Sequence, residues 1–472
     1  MRLSRLVVAL VLWLFLLALV PPTVLATGDP PAGWPGMHLG ASMLGWLAPL
    51  ALLLLAVGSM STDEVLPLVA ASLAALAVGL IAYAAVGFAL HLGGVYLQAS
   101  WPGLQGLAAE WSPNPRSGAG WGFLGLAGFF LSGGADTGDA YALAAVQLPA
   151  VATTVLIPIL ALARRLRSRA LLGMAAAVGG VLYPLVGNWV WGGGWLARLG
   201  LNVQWGHGFV DVGGAATVHL LAAAVVLAIL VVLGRRPSPE DRPLVVELPP
   251  VHLPIFVLVG ALLAVPGWLG LALANPLVTP DLPAGLVALS LTLAGLGGAA
   301  PALLYTWLAT GRTDAQTAAR GLVAGLVAAS APAGLMPPFS ALGAGMAAGA
   351  LVPLVHYAVD HRLRLPDDNA ALATHGLPGL LSVLWLVLFA DGNYGLGWNG
   401  VSWRGEVPQG VSGIFVAPGF GSDIPGQLWA QLAGAVTIVA LGAGLPLLAN
   451  LLARGVSAVP RLMRPRRTAR RI

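Results

Sequence analysis

The feature that most constrains this chain is a series of long apolar stretches with short polar connections. About 20 apolar residues cross a ~30 Å hydrocarbon core as a helix, because a helix rises about 1.5 Å per residue. Hydrophobic residues make up 58% of the 472 residues and charged residues only 9%, whereas soluble domains carry about 25% charged residues. The sequence therefore predicts an all-α polytopic membrane protein with eleven transmembrane helices. The predicted spans lie near 39–60, 64–92, 139–162, 169–191, 208–234, 252–274, 283–309, 320–336, 339–360, 369–390 and 425–453.

The two ends of the chain differ from this membrane domain, which we place at residues 27–454. At the N-terminus two arginines precede an apolar run over 6–20, and small residues offer a cut after Ala26. This order is typical of a cleavable signal peptide over residues 1–26, and an uncleaved first helix is the alternative. Arginines and prolines are frequent in 455–472, which predicts a solvated basic cytoplasmic tail.

The 23 basic residues are all arginines, and their distribution predicts an orientation. With odd-numbered spans ending in the cytoplasm, 18 arginines are cytoplasmic and only Arg116, Arg198 and Arg404 lie outside. Cytoplasmic loops of membrane proteins carry an excess of basic residues. We therefore predict an outside N-terminus and a cytoplasmic C-terminus. The net charge of +5 belongs to the loops and does not indicate nucleic-acid binding.

Two stretches combine an aspartate and a histidine with the same spacing. Asp211 precedes His219 by eight residues in the fifth span, and Asp367 precedes His375 by eight residues at the start of the tenth. Because the two spans cross in opposite directions, both histidines approach the middle of the membrane. This is the pattern of an inverted repeat of five plus five helices with a site at the repeat interface. We place the repeats at about residues 39–234 and 252–390, and the last helix, near 425–453, lies outside them.

Each of these ionisable residues has more than one interpretation. A single intramembrane histidine can be a structural group that is hydrogen-bonded across helices. A pair at matched depth favours a pore or a relay, in which one neutral imidazole donates a hydrogen bond to the other. Asp211 can bind a cation or cap helix ends, and we favour capping.

The sequence argues against an intramembrane enzyme that uses aspartate and histidine as acid–base or metal groups. It has no cysteine, no His-Glu-x-x-His motif and no second carboxylate near His219 that would complete a metal site. We therefore predict no catalytic residues, no metal site and no cofactor.

Both histidine stretches, with their flanking residues, resemble the ammonium transporter/Rhesus family. The resemblance rests on Asp211-x-Gly-Gly-x-x-x-Val-His219, Val190-Trp191-Gly-Gly-Gly194, His375-Gly376, Leu388-Phe-Ala-Asp-Gly-Asn-Tyr-Gly395 and Gly397-Trp-Asn-Gly400. It covers nearly the whole mature chain, and the motifs are specific when they occur together in this order. The resemblance implies transport of ammonium or ammonia by a divergent bacterial-type member in the plasma (inner) membrane. It also implies a homotrimer with one narrow hydrophobic pore in each protomer.

The resemblance also implies roles for individual residues. His219 and His375 match the family's pore histidine pair. Trp191 and Asp211 match an outer recruitment site, and Trp268 matches a second aromatic residue there. Indole faces attract a small cation such as ammonium by cation–π interaction without trapping it. The family's picture is deprotonation near the outer mouth, followed by passage of ammonia along the histidines.

Several positions depart from the family's pattern. Val146, Ala150 and Leu271 stand where the family has pore or gate aromatics, Asn275 replaces a recruitment-site serine, and Ala370 replaces an acidic residue before the second histidine. These losses predict an outer mouth that is wider or closed by other side chains. They leave open a divergent paralogue that passes carbon dioxide or a methylamine, or that senses rather than transports. The tail does not match the segment that binds a nitrogen-regulatory protein, so that partner is not predicted.

Overall fold

The computed structural model describes residues 35–113, 120–235, 253–277, 282–401 and 407–455, and these are mostly helical. Their long helices follow the predicted order of spans, so we number them by span. They are α1 (Gly36–Gly58), α2 (Thr62–Leu97), α3 (Gly138–Leu162), α4 (Ser168–Val190), α5 (Ala215–Leu233), α6 (Pro254–Ala274), α7 (Ala284–Thr310), α8 (Ala315–Ala328), α9 (Pro338–Arg362), α10 (Leu372–Phe389) and α11 (Gly426–Leu452). The predicted signal peptide and nearly all of the basic tail lie outside the described residues, and the limits of the membrane domain remain predictions.

Ten of these helices in the described ranges are long and apolar enough to cross a membrane. The exception is α8, which has 14 residues, whereas the sequence predicts a span over 320–336. After α8 the chain continues in turns over 329–335, and the side chains there are buried, as at Ala331 and Leu335. The eighth span is therefore a short helix completed by buried turns, and the count of eleven spans is retained.

The fifth span also begins differently from the prediction. The sequence predicts a helix from residue 208, but α5 begins only at Ala215. Gly208 and Gly214 have φ angles of +72° and +78°, a left-handed conformation that glycine adopts readily and that interrupts a helix. His219 therefore lies near the start of α5 rather than ten residues into a helix. His375 likewise lies in the first turn of α10, which begins three residues later than predicted.

Hydrogen bonds join the non-helical segment before α5 to the turns after α8. The amides of Val212 and Gly213 donate to the carbonyls of Ala331 (3.1 Å) and Ser330 (2.8 Å). The amide of Ala331 donates to the hydroxyl of Ser382 on α10 (2.9 Å). Irregular backbone at membrane depth is stable only where protein groups satisfy its polar atoms. The two helix interruptions therefore stabilise each other.

Small residues allow several helices to pack in close contact. A Cβ atom added at Gly349 of α9 would overlap the carbonyl oxygen of Gly298 on α7, and one added at Gly267 of α6 would overlap the backbone of Ala48 on α1. Glycine at such positions brings helix backbones together, which is a common source of stability within membranes.

The connections at one end of the bundle are ordered where they are described. Two short antiparallel strands, β1 (Glu110–Trp111) and β2 (Leu124–Gly125), pair in the connection between α2 and α3. Glu110 forms an ion pair with Arg198 at 3.2 Å, and each side chain is only 11% exposed. Trp191 lies at this end of the bundle, directly after α4. We call this end of the bundle the Trp191 face.

Candidate functional site

Three aromatic rings stack in the interior of the helix bundle. His219 of α5 lies between Trp268 of α6 and His375 of α10. The ring centroid of His219 is 5.1 Å from that of each neighbour, and the interplanar angles are 2° with Trp268 and 9° with His375. All three residues are buried. The structure thus brings together the two histidines that the sequence pairs, and we call these three rings the histidine stack.

Several nitrogen atoms of the histidine stack have no hydrogen-bond partner among the described residues. They are both ring nitrogens of His219, Nδ1 of His375 and Nε1 of Trp268. Buried polar atoms nearly always have partners, so these mark a place where a small polar molecule can donate or accept a hydrogen bond. The imidazoles stack and do not hydrogen-bond to each other. The expectation that one imidazole donates to the other is therefore not met in this structure.

Asp211 caps the helix that carries His219. Its Oδ2 accepts hydrogen bonds from the amides of Ala216 (3.0 Å) and Thr217 (2.8 Å) and from the hydroxyl of Thr217 (2.8 Å). The first amides of a helix have no partner within the helix, and a capping carboxylate supplies one. Asp211 is fully buried. It therefore has the capping role that the sequence analysis favours.

Asp367 repeats this arrangement at the start of α10. Its Oδ1 accepts a hydrogen bond from the amide of Ala371 (2.9 Å), and its Oδ2 accepts one from the amide of Leu372 (2.8 Å). Burial raises the pKa of Asp367 above its ordinary value, and the hydrogen bonds from these two amides oppose that shift. Each histidine helix thus has an aspartate cap eight residues before its histidine, as expected of equivalent elements in a repeat.

An open cavity of about 700 Å³ lies at the Trp191 face, with Trp191, Trp101 and Leu277 in its wall. The indole Nε1 of Trp191 donates to the backbone carbonyl of Asp211 (2.8 Å), which holds the ring in place. Trp191 is half-buried, so part of its surface is available to a molecule in the cavity. An indole face in this position attracts a cation.

Trp268 does not line this cavity, although the sequence analysis placed it in the outer recruitment site. The structure places it in the histidine stack, where its ring lies against His219. The correction follows from its position along α6, because Trp268 lies about 10 Å, or two helical turns, before Asn275 at the end of that helix.

A hydrogen-bonded bridge joins α3, α4 and the end of α6. The hydroxyl of Tyr183 donates to Oε1 of Gln147 (3.2 Å), and Nε2 of Gln147 donates to Oδ1 of Asn275 (3.3 Å). The same oxygen of Asn275 accepts from the amide of Leu277 (3.1 Å), a residue of the cavity wall. We call these three side chains the Tyr183–Gln147–Asn275 bridge. It lies between the cavity and the level of Trp268.

The three substituted aromatic positions are at the same level and carry smaller side chains. Val146 and Ala150 lie on α3 on either side of Gln147 in the sequence, and Leu271 lies on α6 between Trp268 and Asn275. Their exposed fractions are 2%, 9% and 8%. The structure therefore favours closure by other side chains over a wide mouth.

The opposite end of the bundle carries a charged cluster that the sequence analysis did not identify. Arg165 donates to both carboxylate oxygens of Asp368 at 2.9 and 2.8 Å, and Arg320 donates to the backbone carbonyl of Asp368 at 3.3 Å. We call this end the Arg165 face. Two sequence signals could have indicated this charged cluster. They are the adjacent acidic pair at 367–368 and the single arginine in the apolar eighth span.

Between this cluster and the histidine stack lies a small cavity of about 40 Å³. His375, Asn369 and Arg320 contribute polar groups to its wall, whereas Leu52 and Ile157 are apolar. A cavity of this size can hold water-sized molecules where polar partners are present. The histidine stack therefore has a cavity towards each face, the larger one beyond the Tyr183–Gln147–Asn275 bridge.

The chemistry of the site suits hydrogen bonding better than metal ligation. Within the described ranges, no three His, Asp or Glu side chains converge in a way that could hold a metal ion. The carboxylates of Asp211 and Asp367 accept hydrogen bonds from helix amides, although Oδ1 of Asp211 has no partner among the described residues.

A helical membrane bundle built around a buried histidine pair is the class that this fold and site define. The sequence profile of the Ammonium Transporter Family matches residues 37–458. The chain belongs to the ammonium transporter family. Membership confirms the family predicted from the motifs, and it confirms that the chain is not an enzyme.

Two curated relatives show how far this similarity extends. Ammonium transporter Amt2 of Archaeoglobus fulgidus is 32% identical over 322 residues, which cover 68% of this chain and 64% of the relative. Ammonium transporter Amt1 of Methanocaldococcus jannaschii is 33% identical over 211 residues, which cover 44% of this chain and 51% of the relative. The chain thus spans 64% and 51% of the lengths of these two relatives.

Solved structures have the same fold. The chain matches a structure described as a sensor Amt protein with a TM-score of 0.70 and 22% identity, over 90% of this chain and 93% of the other. It matches Mep2 of Saccharomyces cerevisiae with a TM-score of 0.69 and 22% identity, over 93% of this chain and 92% of the other. These matches confirm the predicted helical membrane fold.

Proposed function

We propose that this chain passes ammonia across a membrane, and that ammonium is the species that reaches the Trp191 face. The observation that carries the proposal is the histidine stack, in which buried ring nitrogens of His219 and His375 have no hydrogen-bond partner in the part of the chain that the structure describes. Ammonia donates and accepts hydrogen bonds and is small and neutral. It can therefore use these nitrogens in an interior that excludes ions.

The proposed path runs from the large cavity to the small one. Ammonium is attracted to the indole of Trp191 by cation–π interaction. A bare cation is costly to bury in an apolar interior, so ammonium gives one proton to water in the cavity and continues as ammonia. Ammonia then passes the Tyr183–Gln147–Asn275 bridge and the histidine stack, and reaches the small cavity beside His375.

Orientation and assembly are part of the same proposal. The Trp191 face is outside and the Arg165 face is cytoplasmic, in agreement with the distribution of arginines. The chain then lies in a bacterial plasma (inner) membrane with its N-terminus outside and its C-terminus inside. We propose the homotrimer that the resemblance implies. Exposed apolar side chains such as Trp307 and Phe339 suit contact with lipid or with a further copy.

Uptake of radiolabelled methylammonium into liposomes tests the proposal. We expect uptake by the reconstituted parent that unlabelled ammonium suppresses, and a fall of at least about tenfold in His219→Ala if the histidine lowers the barrier by the ~1.4 kcal/mol that such a factor requires. His361→Ala is the control, because that side chain is 45% exposed and lies outside the path. Uptake no faster than in protein-free liposomes would contradict the proposal.

The small side chains at the gate positions favour one second candidate. Val146, Ala150 and Leu271 leave the family's aromatic gate absent beside an intact histidine pair. A paralogue of this kind passes carbon dioxide or a methylamine, or senses ammonium without transporting it. Methylammonium uptake that ammonium does not suppress would favour a changed permeant. Ammonium binding without flux would favour sensing, and the solved structure described as a sensor shares this fold.

A further inference from the structure

A groove of about 340 Å³ lies between α4, α5 and α11, away from the proposed path. Its wall is apolar, with residues such as Met174, Val225 and Ile229, and Arg169 is its only charged member among the described residues. Gly173 is exposed at the rim, as is Leu445 of α11. The histidine stack and the residues of the Tyr183–Gln147–Asn275 bridge are not part of the wall. The groove is therefore open towards the surroundings of the bundle and separate from the proposed permeation path.

The groove runs along the membrane normal from the Arg165 face. Arg169, Gly173 and Ala177 of its wall are spaced by four residues, so they lie on one side of α4. The wall extends along the same helix to Leu182, and α4 rises about 20 Å between Arg169 and Leu182. One leaflet contributes about 15 Å of hydrocarbon, half of a ~30 Å core. The length of the groove thus matches one leaflet together with its interface.

Arg169 lies at the interfacial end of the groove and has no carboxylate partner among the described residues. Its neighbours Arg164 and Arg165 pair with Glu64 and Asp368, whereas no hydrogen bond or ion pair involves Arg169 among the described residues. Its side chain is exposed. A guanidinium at a membrane interface keeps its charge among the headgroups and pairs with phosphate through two parallel hydrogen bonds.

We propose that this groove binds one acyl chain of an anionic phospholipid, and that the phosphate of that lipid pairs with Arg169. The apolar wall at hydrocarbon depth matches an acyl chain, and the single arginine at the interfacial end matches a headgroup with net negative charge. The site is independent of the proposed transport function, because neither the groove nor Arg169 is part of the path.

Gly173 offers a substitution that fills the groove without disturbing the protein. A Cβ atom added there would meet no heavy atom within 4 Å. Leucine also favours a helix more than glycine does, so Gly173→Leu should not weaken α4. Gly444 of α11 is the matched control, because it is also helical, exposed and open, and it does not line the groove. Arg169→Gln removes the charge, and Arg312→Gln removes an exposed arginine elsewhere.

Native mass spectrometry of the purified full chain with phosphatidylglycerol or phosphatidylcholine tests the proposal. Both lipids carry a phosphate that can pair with Arg169, but phosphatidylcholine also carries a choline cation, which repels the guanidinium. We therefore expect the first phosphatidylglycerol to bind about fivefold more tightly than phosphatidylcholine. Gly173→Leu should weaken binding of both lipids, and Arg169→Gln should remove the preference, whereas Gly444→Leu and Arg312→Gln should match the parent. Equal binding of the two lipids by the parent would overturn the anionic assignment. Equal binding by Gly173→Leu and Gly444→Leu would overturn the site. Lipid binding is measured from the masses without a transport assay. A failure of the lipid site is therefore distinct from a failure of the proposed transport function.

Discussion

The imidazole rings of His219 and His375 lie nearly parallel, with an interplanar angle of 9° and centroids 5.1 Å apart. No hydrogen bond joins the two rings, so the helices that carry them determine their relative position. Each helix starts close to its histidine and is capped by an aspartate, Asp211 in one case and Asp367 in the other. The geometry of the histidine stack therefore depends on the two caps.

Removing the cap of α5 should destabilise the fold around the histidine stack. In Asp211→Ala the amides of Ala216 and Thr217 lose their acceptor. Loss of a helix cap costs about 0.5–2 kcal/mol, and we expect the upper end of that range because both amides are buried. Asp211→Asn keeps one oxygen as an acceptor and should fall between the parent and the alanine variant. The midpoint of thermal unfolding in detergent, followed by tryptophan fluorescence, measures the effect.

Asp136→Ala is the control for the cap, because Asp136 is exposed in the connection before α3. Surface substitutions of this kind usually change stability by less than about 0.5 kcal/mol. Identical midpoints for Asp211→Ala and Asp136→Ala would show that the cap does not stabilise the protein.

Opening the Tyr183–Gln147–Asn275 bridge should make the path more permissive. Gln147→Ala removes the side chain that links Tyr183 to Asn275. A hydrogen bond of about 1 kcal/mol that must open during passage corresponds to about a fivefold change in rate. We expect faster methylammonium uptake and a measurable uptake of dimethylammonium, which the parent should exclude. Unchanged rates for both amines would mean that the bridge is not the outer barrier.

The Arg165–Asp368 ion pair should contribute more to stability than its neighbour, Arg164–Glu64. Arg165 and Asp368 are 25% and 18% exposed, and Nη2 of Arg165 donates to both carboxylate oxygens of Asp368, whereas the side chain of Arg164 is 48% exposed. Arg165→Ala removes both of these hydrogen bonds from a mostly buried carboxylate, at a cost of about 1–3 kcal/mol. Arg165→Lys should recover much of this, because a lysine ammonium can also donate from one nitrogen to both carboxylate oxygens.

Arg164→Ala is the matched control for this prediction, since exposed ion pairs are usually worth less than about 1 kcal/mol. Thermal unfolding of Arg165→Ala, Arg165→Lys and Arg164→Ala at the same salt concentration gives the comparison. A larger loss in Arg164→Ala than in Arg165→Ala would contradict the assignment of the stronger pair.

The order of the helices could be predicted from the sequence because it depends on local composition. Apart from the fifth and eighth spans, the predicted apolar runs are helices near their predicted limits, and the equal spacing from Asp211 to His219 and from Asp367 to His375 indicated two equivalent helices. Glycine is also a local signal, because it often marks a break in a helix. Gly208 and Gly214, however, fall inside an apolar run. Apolarity alone therefore predicted a helix where their positive φ angles interrupt it.

The contacts between distant elements could not be predicted in the same way. The segment before α5 is stabilised by Ser330 and Ala331, more than 100 residues away in the chain, so no local pattern marks the shortening of α8. Register along α6 identified Trp268 and Asn275 as site residues. Only the packing of three helices shows that Trp268 stacks on His219 and that Asn275 completes the Tyr183–Gln147–Asn275 bridge.

The rise in internal pH that an ammonium pulse causes in liposomes containing the purified protein and a pH-sensitive dye tests the central claim most directly, because ammonia that enters takes up a proton inside. The parent would be compared with His219→Ala and with the double variant Ala150→Phe/Leu271→Phe, which restores two aromatic gate positions. The account predicts a rise in the parent that is faster than in protein-free liposomes and that is lost in His219→Ala, since the histidine stack lines the path. A parent no faster than protein-free liposomes that becomes faster in the double variant would contradict the account, and so would a His219→Ala rate equal to that of the parent.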